Sequence, residues 1–170
     1  PDGTIPDGWP VRFEEPLSPL VEGTDGRLYA VTGDVVYGAA AGEPPTGPYS
    51  AVALDRDGTV PTGWPVPLPD DGITPLAPAQ TPGPVPPWAQ PPVVGDDGSL
   101  VVAMGGWEGS HGIVWIEADG AIALTHLLPE GMSISNGQPS TPGGPPLAPV
   151  VAGDRTFLAV HVERPAEARV

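Results

Sequence analysis

The sequence predicts an all-β chain assembled from repeated units of about four short antiparallel strands. Pro and Gly are abundant, at 27 and 24 of 170 residues, a density typical of turn-rich β proteins or of disordered tracts. Apolar residues nevertheless make up 39 % of the chain and gather in short runs such as "LYAV", "SLVVAM", "GIVWI" and "TFLAVHV". Such clustering reads as strands separated by turns. No segment combines a 3.6-residue apolar period with helix caps.

Two phrases then recur in alternation. One runs "SPLVEGTDGRLYAV" (18–31), "QPPVVGDDGSLVVA" (90–103) and "LAPVVAGDRTFLAV" (147–160). The other runs "PDGTIPDGWPVRF" (1–13), "DRDGTVPTGWPVPL" (55–68) and "EADGAIALTHLLPE" (117–130). The Asp-Gly starts of the second phrase lie 55 and then 62 residues apart. A unit of ~40–60 residues holding about four strands is the signature of a β-propeller blade.

Within the first unit, "PLVEG" and "RLYAV" should form a hairpin over Thr24-Asp25-Gly26, with Gly supplying the positive φ. "SAVALD" pairs next and turns at Asp57-Gly58 into an outer strand over "TVPTGWPV". The second unit repeats this with "PPVVG", "SLVVAM", "GIVWIEA" and "AIALTHLL". Strands apolar on both faces suit sheets sandwiched between neighbours. Gly-Trp-Pro is expected to end the outer strand, with Trp9 and Trp64 wedged between units and Pro blocking edge pairing. His126 stands at the Trp position of the third copy and reads as a packing variant. The organisation expected is the end of one blade (1–16), a blade (17–69), a blade (89–131) and the start of another (147–170). Pro-rich connectors (70–88 and 132–146) should lie extended on the surface rather than form strands. Because these limits fall inside blades, the sequence reads as a section of a larger ring. Other segments of a longer chain or other protein subunits would complete that ring.

The repeats carrying "SPLVEGTDGRLYAV" and "ALDRDGTVPTGWPV" resemble those of propellers related to pyrroloquinoline quinone (PQQ) enzymes and of bacterial surface propellers. The resemblance spans most of the chain in three successive units. It implies a blade type and leaves function open, because fold alone does not carry function. In the quinone dehydrogenases of that family a full ring, a calcium site, a catalytic Asp, a Trp floor and a vicinal Cys pair are expected. The present chain has no Cys.

Composition narrows the function classes. Against 21 Asp and Glu stand six basic residues, all Arg, so nucleic-acid backbone binding lacks its clustered cations. The same acidity opposes docking on an anionic membrane and favours solubility. No run approaches the ~18 apolar residues of a membrane-spanning helix, and no charged-then-apolar leader is visible. No Asn-x-Ser/Thr acceptor exists, whereas Ser140 and Thr141 beside prolines suit O-linked sugar.

Candidate sites are few. Asp55, Asp57, Asp96 and Asp97 superficially resemble calcium ligands, but neither turn supplies six to eight oxygens or a closing bidentate Glu. Ordinary turn chemistry accounts for them, and no calcium or quinone is assigned. The loop "GGWEGSHG" (105–112) places Trp107, Glu108, Ser110 and His111 together, and Trp88 lies in the first Pro-rich segment. Close spacing of Ser, His and Glu does not make a triad. A Trp face with polar neighbours suits carbohydrate or peptide binding, so Trp107, Glu108, His111 and Trp88 are the candidate ligand contacts. His111, His126 and His161 are not at metal-ligand spacing. The reading is a non-catalytic extracellular or cell-surface module acting as scaffold, filament or adhesion element. The alternative is a stretch of a PQQ-dependent oxidoreductase.

Overall fold

The computed structural model describes residues 7–15, 17–33, 48–69, 73–75, 91–106, 111–129, 132–134, 150–152, 155–157 and 160–162. All regular structure among them is antiparallel β, with no helix. The first sheet is a meander of β1 (Val21–Glu22), β2 (Leu28–Thr32), β3 (Ser50–Leu54) and β4 (Val66–Pro67), in that order. In the second, β5 (Ile73–Pro75) and β6 (Val93–Val94) share one edge of β7 (Leu100–Gly106), followed by β8 (His111–Ile116) and β9 (Ile122–Leu127). The second sheet thus has four strand positions, as the first does. Two further pairs join β10 (Met132–Ile134) to β13 (Val160–Val162) and β11 (Val150–Ala152) to β12 (Arg155–Phe157).

Four turns have one construction. At Gly26, Gly58, Gly98 and Gly120 φ lies between 79 and 89°. In each turn that glycine N–H donates to the carbonyl three residues back, on Gly23, Asp55, Gly95 and Glu117 respectively. The preceding Asp Oδ1 accepts the N–H two residues on, in Arg27, Thr59, Ser99 and Ala121. This is a three-residue loop, a type I turn closed by a left-handed Gly, which the Asp side chain locks by its Asx bond. The hairpin expected over Thr24-Asp25-Gly26 and the reversal at Asp57-Gly58 both form.

The sheets pack face to face. Tyr29, Val31, Ala51, Ala53, Trp64, Val66 and Leu68 from the first meet Leu100, Val102, Met104, Val114 and Ile116 from the second in one buried cluster. Ladder equivalence places Val101, Ala103 and Ile113 of the second sheet where Tyr29, Val31 and Ala51 stand in the first. They form a second buried cluster on the far face, with Val93, Trp115 and Leu128 packed against it. Strands β2 and β7 are therefore buried on both faces, which explains their lack of polar alternation.

The structure corrects three expectations. The outer strand of the first unit is only Val66–Pro67, and Gly-Trp-Pro leads into it rather than ending it. Pro61 and Pro65 lack the N–H a longer ladder needs, and the Trp64 N–H closes a turn on the Pro61 carbonyl at 3.2 Å. The Pro-rich segments are not strand-free at their starts, because β5 and β10 lie within 70–88 and 132–146. The two flanks of the first segment pair along one strand, β7, and those of the second pair with β13 and β12. Pro75 opposes Met104 and Val93 opposes Val101, so 17 residues (76–92) intervene where only two (102–103) intervene on the partner. Ile134 opposes Val160 and Val150 opposes Phe157, with 15 residues (135–149) at the equivalent point. In the first unit, Leu17 opposes Thr32 and Val21 opposes Tyr29, and only residues 18–20 intervene. The first Pro-rich segment thus interrupts the inner strand of its sheet, and the second separates β10 from β11 at the matching spacing.

The third correction is one of register. Ala51 opposes Val66 while the equivalent Ile113 opposes His126, so His126 stands at the Val66 position and not at that of Trp64. The first unit has two more residues between its Asp-Gly turn and this point, taken up by the Gly-Trp-Pro excursion.

Candidate functional site

The joint between units is built twice from the same parts. Gly8 approaches the Asp57 carbonyl so closely that a Cβ there would collide with it, and Gly63 meets the Asp119 carbonyl in the same way. Both glycines have φ near +90°, where only glycine is unstrained. A Cβ on Gly58 would lie 3.0 Å from Val11, and one on Gly120 would lie 3.2 Å from Val66. The Gly-Trp-Pro segment of one unit therefore seats on the Asp-Gly turn of the next, at a constant offset within the phrase. Both Trp-Pro bonds, Trp9-Pro10 and Trp64-Pro65, are cis.

The two tryptophans differ in their surroundings. Trp9 is half-exposed and its indole N–H donates to the Arg56 carbonyl at 2.9 Å. Trp64 is 8 % exposed and meets the Tyr29 ring edge-on, with centroids 5.9 Å apart. Its indole N–H has no acceptor among the described residues. The carbonyl equivalent to that of Arg56 belongs to Ala118, and it accepts from Arg27 Nη1 at 3.4 Å.

Polar links tie the turns at this end together. Arg27 Nε donates to Asp55 Oδ1 at 2.8 Å, the Tyr29 hydroxyl to Asp25 Oδ2 at 2.7 Å, and Thr24 Oγ1 to the Asp96 carbonyl at 2.9 Å. Burial and the Asp25 bond push the Tyr29 phenol up to about 12. Three of the candidate metal ligands, Asp55, Asp57 and Asp97, have their carboxylates engaged in such bonds. Asp55 pairs with Arg27, and Asp97 accepts from the Ser99 N–H. Asp57 accepts from the Thr59 hydroxyl and N–H, which hold its carboxyl below the usual range. The Asp96 carbonyl binds Thr24 in the neighbouring unit. Among the described residues no three His, Asp or Glu converge as a metal site.

Of the candidate ligand contacts, Trp107, Glu108 and Trp88 lie outside the described residues, as does Ser110. His111 begins β8 at the position of Tyr49. It is half-buried, its Nδ1 has no partner among the described residues, and burial pushes its pKa below the ordinary histidine value.

One surface went unread in the sequence. All six residues of β9 are exposed, including Ile122 (43 %), Leu124 (48 %) and Leu127 (52 %). The signal was present, since the third copy of the phrase replaces a Pro-rich stretch by "AIALTHLL", which carries neither Pro nor charge.

Among the described residues no helix is long and apolar enough to cross a membrane. No protein-family model, curated protein or solved structure matches the chain.

Proposed function

We propose that the chain is a section of a β-propeller serving as a non-catalytic extracellular or cell-surface module, a rigid body for scaffolding and adhesion. The observation that supports it most is the repeated joint. Tyr29, Val31 and Ala51 on the face of the first sheet turned to the second have as equivalents Val101, Ala103 and Ile113 on the face of the second sheet turned away from it, and both sets are buried. Radial repetition of blades requires that relation. Gly-Trp-Pro on Asp-Gly is then the stitch between blades, and the Asp residues serve turns rather than cations. Strands from the remainder of a longer polypeptide, or from other subunits, complete the ring. The Lys-free, Cys-free acidic composition suits an exposed protein.

Residues 1–170 expressed alone test this reading by mass, melting and turnover. It expects association or a broad melt, and no oxidation of alcohols or sugars when PQQ and calcium are added. A monodisperse, cooperatively melting monomer would refute the need for completion, and quinone-dependent turnover would establish the oxidoreductase alternative.

A further inference from the structure

The outer strands of the two sheets occupy equivalent positions and have opposite edge chemistry. The Leu68 N–H donates inward to the Tyr49 carbonyl and the Leu128 N–H to the His111 carbonyl, at 2.9 and 2.7 Å. Backbone direction alternates along a strand. The N–H groups one and three residues earlier therefore point away from the sheet. In the first sheet these positions are Pro67 and Pro65, which have no N–H, so that edge offers no donor there to an added strand. In the second sheet they are Leu127 and Thr125, and both donors are present. Among the described residues no strand lies beyond β9.

The second sheet has also lost the blade-to-blade stitch. Gly63, which must be glycine to seat on the Asp119 carbonyl, has no glycine counterpart anywhere in "AIALTHLL". A Cβ there would strike a turn docked in the same way. The outer strand of this unit thus cannot repeat the joint made by the first, and both its faces are exposed.

We propose that β9 is a strand-addition site for an extended segment of another protein, uncharged along its length with alternating apolar residues and carrying Lys or Arg at its ends. Main-chain bonds from Thr125 and Leu127 would hold the added strand, and Ile122, Leu124 and Leu127 would receive its side chains. Charge decides between partners. The strand is uncharged, but Glu117 and Asp119 stand exposed where it begins, on a chain of net charge −15. A second copy would bring a like-charged body against it, whereas a basic-flanked segment meets complementary charge. The proposal rests on the β9 edge alone and holds whether or not the units close a ring.

The probe is a fluorescein-labelled peptide KKVTVTVKK, with EEVTVTVEE as its charge-reversed control. Anisotropy with the full chain should show saturable binding of the first, at least about tenfold weaker for the second, and weakened by raising salt to about 0.5 M. Amide exchange over 122–127 should slow on binding. The double substitution Thr125→Pro/Leu127→Pro copies the first sheet's own edge and spares the inward bonds, so it should cut binding at least about tenfold with the melting temperature nearly kept. Leu124→Lys, which leaves the backbone intact, should weaken the basic probe as well. Undiminished binding to the double-Pro variant, no binding to the parent chain, or equal binding of both peptides overturns the proposal. So does self-association of the chain that the double-Pro variant abolishes, which would assign the edge to a second copy.

Discussion

Trp9 and Trp64 stand at one place in two copies of a phrase, and their surroundings set different costs for removing them. Trp64 is enclosed by both sheets and edge-on to Tyr29, so Trp64→Ala should destabilise the fold by ~3–5 kcal/mol in urea unfolding. Trp9 is half-exposed with one hydrogen bond to Arg56, and Trp9→Ala should cost only about 1 kcal/mol. Equal losses would contradict the assignment of Trp64 to the shared core. His111 makes a pH prediction. Burial lowers its folded-state pKa, so the unfolded chain takes up the proton first. Stability from this group is full above the ordinary histidine pKa and is lost as pH falls from about 6.5 through the lowered folded value. His111→Gln should flatten the melting temperature between neutral and mildly acidic pH relative to the parent. An unchanged acid limb would remove His111 as its cause.

At the scale of elements, the turns were the most legible part of the sequence. Asp-Gly between apolar runs specifies a left-handed Gly and an Asx bond, both local, and all four turns appear as such. The outer strands were less legible because their length depends on donors that Pro61 and Pro65 remove and on a seat in the next unit that no local pattern encodes. Gly63 is the residue that makes the seat. Gly63→Ala forces a Cβ into left-handed backbone, about 1–2 kcal/mol by itself, and into the Asp119 carbonyl, which is backbone and cannot rotate aside. Its melting-temperature loss should exceed that of Thr62→Ala, the exposed neighbour. Equal losses would mean that the turn of the second unit is not seated there. The position of His126 shows the limit of phrase matching. A two-residue difference in loop length shifted the alignment, and only the ladder with Ile113 fixed the register.

For the molecule as a whole, repetition made the architecture readable. Two phrases in alternation imply two like sheets, and two antiparallel sheets of four strand positions are present without helix among the described residues. Far-ultraviolet circular dichroism should accordingly show less than about one-fifth helix. The insertions at 76–92 and 135–149 were visible as Pro-rich tracts. The place of the first within the inner strand of its sheet was not, because pairing of β5 and β6 with one strand is a long-range fact. The candidate site was hardly legible, since Trp88, Trp107 and Glu108 carry no repeat or spacing constraint, while the exposed β9 showed itself only by what it lacks. The central claim is that the sheets form one body through the seat of Gly63-Trp64 on the Asp119-Gly120 turn. Residue-resolved amide exchange on the parent chain and on Gly63→Ala tests it most directly. The account predicts faster exchange in Gly63→Ala across β8, over residues 113–116, as well as across β3, because both strands share the core that the seat closes. Acceleration confined to residues 59–68, with β8 unchanged, would contradict it.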